Sequence, residues 1–184
     1  MKTLYLLRPG PTFANVHKVY NPDTDSLTPH GQEQARAAAA YIQQLPVDGV
    51  FCSPLPRAVE TARMLGVKAT PVEALGDHKF GVFAGKPWGS LRQEATSLGI
   101  SREEFVPEGG ESLVDARHRV VEFVNSLPDG SYLIIAHAGT VIDLVHALTG
   151  RAWQPLHVDN VAIWQITDGH LVHENYTPWI SAEK

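Results

Sequence analysis

Short apolar runs alternate with amphipathic, helix-like segments along this 184-residue chain. Residues 4–7 and 132–136 are apolar at every position, and both runs have the length of a strand rather than of a helix. Strands without polar positions are typical of sheets that are covered on both faces. The alternation therefore predicts the α/β class, with helices layered on a central sheet.

Helix end signals fall between these runs. Thr28 is a residue type that caps helix N-termini, and Pro29 suits the first helical position after it. Gly150 is placed to end the last predicted helix, and Asp168-Gly169 is a hairpin turn signal. We expect helices at 29–45, 54–65, 88–98, 111–127 and 140–149, a further strand at 47–52, and a terminal hairpin of 160–166 and 171–176.

Three side chains able to bind an anion follow the predicted strands. Arg8 and His137 come directly after strands, and Arg57 lies in the first turn of the helix after another. Ligands of open α/β sheets bind beyond the carboxyl ends of the strands, and two guanidinium groups there could hold phosphate oxygens through charge-assisted hydrogen bonds. The alternative is a surface ion pair for each arginine and a capped turn for His137. Convergence from three segments favours one shared anion site.

The segment 6–12, Leu-Leu-Arg-Pro-Gly-Pro-Thr, resembles the Leu-x-Arg-His-Gly-x-Thr signature of the histidine phosphatase superfamily, also called the phosphoglycerate mutase-like family. Further matching segments follow in family order to about residue 176: Thr12 to Asn15, Asp25 to Ala35, Ser53 to Ala62, Pro107 to Ser112 and Ile134 to Gly139.

The resemblance implies a three-layer α/β/α sandwich with a mostly parallel central sheet, formed by one domain over residues 1–184 with a lid or insertion at about 66–110. It also implies a binding site for a small phosphorylated or otherwise anionic ligand. The residues that it assigns to phosphate are Arg8, Arg57, Asn15 and His137, with Thr12 as a further candidate.

Pro9 stands where the superfamily has the histidine that accepts the phosphoryl group. A prolyl nitrogen is a tertiary amide without an N–H or a nucleophilic lone pair, so Pro9 cannot attack phosphorus. We therefore expect classical phosphohistidine phosphatase or mutase activity to be lost. Asp77 takes the position of the family's acid, usually glutamate, and can transfer a proton if it lies within hydrogen-bond reach. A solvated loop carboxylate is the alternative for Asp77.

Two residues are candidates to replace the missing nucleophile. His78 adjoins Asp77, but a histidine from a different loop would approach phosphorus from another direction, and a turn histidine is the favoured interpretation. Cys52 precedes Arg57 by one residue fewer than cysteine-dependent phosphatases require. Pro54 and Pro56 remove backbone donors that a phosphate cradle needs. A buried, inert cysteine is the better hypothesis.

Three functions remain open. The chain could be a noncatalytic binding or regulatory module for an anionic metabolite. It could be a hydrolase, isomerase or lyase that uses His137 and Asp77 for acid–base chemistry without a phosphoryl intermediate. The third hypothesis is a phosphomonoesterase that uses His78 or water.

Composition excludes several other classes. The net charge of -5 is spread along the chain without a basic block, which argues against a nucleic-acid partner. There is no apolar run of membrane-spanning length and no secretory signal, so we expect a cytoplasmic protein with no membrane partner. His170 and His173 lack a third ligand, so no metal is expected, and no glycine-rich nucleotide-binding loop is present, so no cofactor is expected. The oligomeric state stays open, a dimer being one alternative.

Overall fold

A six-stranded sheet forms the centre of the computed structural model, which describes residues 1–179. The strands lie in the order β3-β2-β4-β1-β5-β6. Strands β1, β2, β3 and β4 run parallel, and β5 and β6 form an antiparallel extension beside β1. The strand bounds are β1 Lys2–Leu7, β2 Gly49–Cys52, β3 Thr70–Pro71, β4 Gly130–Ile135, β5 Ile163–Thr167 and β6 His170–Tyr176.

Helices cover both faces of the sheet. Because side chains alternate along a strand, Leu4 and Leu6 of β1 pack in one core cluster, and Tyr5 and Leu7 pack in the other. The first cluster includes residues of α5 and α6, and the second includes residues of α2 and α3. The helix bounds are α1 Phe13–His17, α2 Pro29–Ile42, α3 Pro56–Leu65, α4 Ser90–Ser97, α5 Leu113–Ser126 and α6 Ala138–Thr149. The predicted three-layer sandwich with a mostly parallel sheet is confirmed.

The predicted helices and strands occur, but several of their boundaries were wrong by two or three residues. The predicted helix 54–65 begins at Pro56, because a residue before proline is driven out of the helical region and Leu55 is extended with ψ 143°. The predicted helix 111–127 begins one residue after Ser112, whose hydroxyl accepts a hydrogen bond from the N–H of Asp115. The predicted helix 140–149 begins earlier, at Ala138, since His137 takes the extended backbone of an N-cap.

The remaining strand boundaries and two short elements also differ from the prediction. The predicted strand 160–166 starts at Ile163, after a turn in which Val161 has a φ of 63°. The predicted strand 47–52 is shorter and starts at Gly49. Helix α1 and strand β3 were not predicted, because five and two residues are too few to establish a periodicity.

Residues 66–110, the predicted lid or insertion, lie between α3 and α5 in the chain. They contain β3, two 3-10 turns at Glu73–Leu75 and Gly81–Phe83, and helix α4. The insertion has a small core of its own, made of Phe83, Leu91, Ala95 and Phe105. Residues 180–184 of the predicted domain lie outside the described residues. Among residues 1–179, no helix is both long and apolar enough to cross a membrane.

Candidate anion-binding site

A cavity of about 450 Å³ opens where β1, β2 and β4 end. Because these strands are parallel, their carboxyl ends meet at one edge of the sheet and bring the residues that follow them together. All the site residues proposed from the sequence line this cavity: Arg8, Pro9, Thr12, Asn15, Arg57, Asp77, His78 and His137. Their convergence is therefore a property of the fold, although their roles stay predictions.

Arg57 is the central cation of the cavity and is only 2% exposed. Its Nη2 lies 2.8 Å from Oδ2 of Asp77, its Nη1 donates to the carbonyl oxygen of Pro22 at 3.2 Å, and its Nε donates to Nδ1 of His137 at 3.3 Å. A guanidinium has five N–H donors, so these bonds leave capacity for a ligand. The side chain is thus held in place while it can still bind an anion.

His137 is neutral at physiological pH. Burial lowers its pKa from 6.5 to about 4, an effect that Asp77 opposes and Arg57 reinforces. Because the guanidinium of Arg57 donates to Nδ1, the ring proton is carried by Nε2, which lies 2.8 Å from the hydroxyl oxygen of Ser53. Contacts on both sides of the ring therefore fix the orientation and the tautomer of His137.

Asp77 carries a negative charge beside these two residues. Burial acts to raise its pKa, but the positive charge and hydrogen bond of Arg57 and the hydrogen bond from the N–H of His78 more than offset this, so that the pKa of Asp77 lies below its ordinary value. Its Oδ1 accepts a hydrogen bond from the N–H of His78 at 3.0 Å, and its Oδ2 lies 3.4 Å from Nδ1 of His137. The resemblance assigned Asp77 to the position of an acid, whereas the structure pairs it with Arg57 as an ionised carboxylate.

The loop after β1 is fixed from the opposite side of the cavity. Arg8 donates from Nη1 to the carbonyl oxygen of Val158, and burial lowers the pKa of its guanidinium. The side-chain amide of Asn160 donates to the carbonyl oxygen of Pro9 at 2.8 Å. Pro9 is buried and forms part of the cavity wall. The cavity is therefore lined by an apolar ring at the position where the family has its nucleophile.

The start of α6 forms another part of the wall. Ala138 and Gly139, its first two residues, line the cavity directly after His137. The first N–H groups of a helix have no partner within the helix, and they carry the positive end of its dipole. This end of α6 therefore adds to the attraction that the arginines exert on an anion.

Thr12 and Asn15 are occupied with each other. The hydroxyl of Thr12 accepts from the N–H of Asn15, and the side chain of Asn15 accepts from the N–H of Thr12, both at 3.2 Å. Asn21, which the sequence did not indicate, completes this group with 3.3 Å contacts to both side chains. The three polar residues form a preorganised wall.

The two candidate replacement nucleophiles differ in position. His78 lines the cavity. Its Nε2 lies 2.7 Å from the carbonyl oxygen of Glu111, and this contact does not involve Nδ1. Cys52 does not line the cavity and is 1% exposed, and burial raises the pKa of its thiol, which disfavours the reactive thiolate. The interpretation of Cys52 as a buried residue is confirmed.

The mouth of the cavity contains residues that the sequence did not indicate. Arg92 and Arg102 are exposed and line it together with the half-exposed indole of Trp88. Within residues 1–179, neither arginine has a carboxylate within 4 Å, and Asp77 is the only carboxylate among the lining residues. The cavity is thus positively charged in a chain of net charge -5.

Comparison with known proteins identifies the family of this chain. A family model described as histidine phosphatase superfamily (branch 1) matches residues 4–171. A Hydrogenobacter thermophilus protein provisionally named phosphoserine phosphatase 2 is 32% identical over 182 residues, which is 90% of this chain and 89% of the relative. The adenosylcobalamin/alpha-ribazole phosphatase of Escherichia coli is 29% identical over 160 residues, covering 80% and 79%. A crystal structure of phosphoglycerate mutase from Thermus thermophilus superposes with a TM-score of 0.72 at 29% identity, covering 89% of this chain and 92% of that one.

Proposed function

The chain belongs to the histidine phosphatase superfamily, and we propose on that basis that its cavity binds a small phosphorylated metabolite without forming a phosphohistidine. The observation that carries the proposal is the contrast between Pro9 and its surroundings. Arg8, Arg57 and the start of α6 remain in place to attract an anion, while the side chain at the nucleophile position has no atom that can attack phosphorus. Binding without covalent transfer is the chemistry that this combination supports.

The size and charge of the cavity support an organic phosphate ester as ligand. The relatives are named after phosphoserine, α-ribazole phosphate and phosphoglycerate chemistry, and all of these compounds are small molecules that carry a phosphate. A cavity of about 450 Å³ is larger than a phosphate ion requires, and ligand cavities commonly have several hundred Å³. Arg92, Arg102 and Trp88 at the mouth would contact the part of the ligand beyond the phosphate.

Acid–base catalysis on the bound ligand is a second candidate function. It is favoured by one observation, the 3.4 Å distance between Nδ1 of His137 and Oδ2 of Asp77 inside the cavity. An ionised carboxylate beside a neutral imidazole provides groups that can accept a proton at neutral pH. Turnover of a phosphorylated or carboxylated metabolite that stops in His137→Ala, without release of phosphate, would establish this alternative.

The primary test compares three proteins. Titration calorimetry with orthophosphate measures binding to the wild type, to Pro9→His and to Pro11→His, and p-nitrophenyl phosphate measures turnover. We expect all three to bind orthophosphate and only Pro9→His to hydrolyse the ester, because only that variant places an imidazole at the nucleophile position. Pro11 belongs to the same turn but does not line the cavity, so Pro11→His controls for adding a histidine to this loop.

Two outcomes would contradict the proposal. Absence of orthophosphate binding to every variant would show that the cavity is not an anion site. A phosphoryl adduct trapped on any side chain of the wild type during turnover would show that covalent chemistry persists. If the wild type hydrolyses the ester, His78→Ala identifies the source of that turnover, since loss of activity in this variant would implicate His78 and retention would implicate water or another side chain.

A further inference from the structure

Arg119 of α5 binds both the segment that presents Asp77 and the side chain of Glu111. Its Nη1 donates to the carbonyl oxygens of Ala74 at 2.7 Å and Gly76 at 2.9 Å, and its Nη2 donates to that of Asp77 at 2.9 Å. The other two N–H groups bind the carboxylate of Glu111, from Nη2 at 2.7 Å and from Nε at 3.1 Å. All five donors of the group are satisfied.

Glu111 extends this contact to the next residues of the same segment. Its Oε1 accepts from the N–H of Lys79 at 3.0 Å, and its carbonyl oxygen lies 2.7 Å from Nε2 of His78. Arg119 and Glu111 are 23% and 14% exposed, so water competes weakly for their bonds. Together they contact residues 74, 76, 77, 78 and 79, so the segment is held on both sides of Asp77 in sequence.

We propose that Arg119 is a positioning residue, which holds the backbone of residues 74–77 so that the Asp77 carboxylate lies against Arg57 and His137. Arg119 does not line the cavity, so it makes no direct contact with a ligand there, and the proposed effect on the ligand runs through Asp77. The inference rests on the proposed anion site, because it concerns the carboxylate that shares Arg57 with the anion.

Burial of Leu75 also holds the segment, and it distinguishes the role of Arg119 from general stabilisation of the segment. Leu75 is fully buried in the core cluster beside α5 and α6, and it fixes the segment by burial of apolar surface whatever residue 119 is. Burial of one leucine leaves the backbone free to rotate about it, whereas three carbonyl contacts on one planar guanidinium define the orientation of the peptide groups. We therefore expect loss of the three carbonyl contacts of Arg119 to displace the carboxylate of Asp77 without unfolding the segment.

The consequence for the ligand has a definite sign. Oδ2 of Asp77 accepts a hydrogen bond from Nη2 of Arg57, and its negative charge repels an incoming anion. Asp77→Asn should therefore raise the affinity for orthophosphate by about fivefold to tenfold. Arg119→Lys keeps the charge but cannot form the fork of five bonds, so it should raise that affinity in the same direction by a smaller factor. In the double variant, Arg119→Lys should add nothing to the affinity.

The experiment is a double-mutant cycle with two measurements. ¹³C NMR follows the titration of the Asp77 carboxyl without ligand, and calorimetry measures orthophosphate binding. We expect Arg119→Lys to raise the pKa of Asp77 toward its ordinary value. Arg117→Lys is the matched control, because Arg117 lies on the same helix and pairs with Asp143 at 2.9 Å and Glu103 at 3.6 Å instead.

The results separate a positioning role from a general effect on folding. Any loss of stability caused by Arg119→Lys should be equal in both backgrounds, but its effect on affinity should vanish when residue 77 is asparagine. The inference is overturned if Arg119→Lys moves the pKa of Asp77 no more than Arg117→Lys does, or if it changes affinity equally with and without Asp77. Failure of every variant to bind orthophosphate would defeat the proposed function, and the carboxyl titration would still decide the role of Arg119.

Discussion

The guanidinium of Arg57 and the carboxylate of Asp77 form a 2.8 Å ion pair in the lining of the cavity, where their side chains are 2% and 16% exposed. Both charges have lost most of their water, and each depends on the other for compensation. The same arginine also donates to Nδ1 of His137. The carboxylate of Asp77 thus offsets part of the positive charge of the anion site.

Removal of the cation should destabilise the fold. In Arg57→Met the charge of Asp77 would be buried without its partner, and we expect the free energy of unfolding to fall by about 3 to 5 kcal/mol, measured by urea denaturation. Arg63→Met is the control, since Arg63 is an exposed residue of the same helix and its replacement should cost less than about 0.5 kcal/mol. Equal losses of unfolding free energy in the two variants would contradict a contribution of the Arg57–Asp77 ion pair to stability.

Burial of His137 should make stability depend on pH in a defined window. The unfolded chain takes up a proton on this residue near pH 6.5, but the folded protein does so only near pH 4, so acidification between these values favours unfolding. The resulting loss is roughly 3 kcal/mol by pH 4. The pKa of Asp77 is lowered by folding, so its stabilisation is lost only below about pH 4.

Urea unfolding from pH 4 to pH 7 checks the window. His137→Gln cannot titrate, and its stability should change less steeply with pH than that of the wild type. His118→Gln replaces a histidine that is 80% exposed and should leave the slope unchanged. The same slope in the wild type and in His137→Gln would show that His137 is not held neutral.

Replacement of Gly10 even by alanine should destabilise the protein. A Cβ at this position would lie 2.5 Å from the carbonyl oxygen of Gly31 in α2. Because that oxygen belongs to the backbone of a helix, its displacement would cost free energy. We expect Gly10→Ala to lower the free energy of unfolding by about 1 to 3 kcal/mol and to weaken orthophosphate binding, because the loop of Arg8 must shift.

Gly139→Ala is the matched control for Gly10. Gly139 also lines the cavity, but a Cβ there would meet nothing within 4 Å. Its substitution should therefore leave the thermal midpoint near that of the wild type. If Gly10→Ala were as stable as Gly139→Ala, the close approach of the loop to α2 would not constrain the site.

The arginines at the cavity mouth should discriminate between ligands by size. We expect Arg92→Ala/Arg102→Ala to weaken binding of a sugar bisphosphate by about fivefold, since exposed charges each contribute less than about 1 kcal/mol. Binding of orthophosphate, which needs only the inner residues, should change by less than about twofold. Calorimetry measures both, and Arg36→Ala/Arg63→Ala controls for the loss of two exposed positive charges. Equal losses for both ligands would place the two arginines outside the ligand contacts.

Most of the sheet and the location of the site could be predicted from the sequence. Apolar runs such as 132–136 identify buried strands without further information, and Thr28 with Pro29 marks a helix start that the structure retains. Since parallel strands end at a common edge, residues after strands could be grouped before any distance was known. The resemblance added Asn15, Asp77 and the meaning of Pro9.

Residues outside the recognised motifs could not be assigned in this way. Arg92 and Arg102 lie in the insertion, where neither spacing nor resemblance indicates which side chains turn toward the cavity. Arg119 lies on a predicted helix, but its partners are 8 to 45 residues away in sequence. Helical periodicity shows which face of a helix is apolar and does not identify the partner of a polar side chain.

The sequence by itself determined the α/β class, the order of the elements and the absence of a nucleophile at position 9, because these properties depend on local propensity and on the chemistry of single residues. Only the tertiary structure decided the charge states of His137 and Asp77 and the pairing of Asp77 with Arg57. A pKa depends on how much water a group loses and which charges surround it, and both are defined only when segments 20 to 80 residues apart pack together.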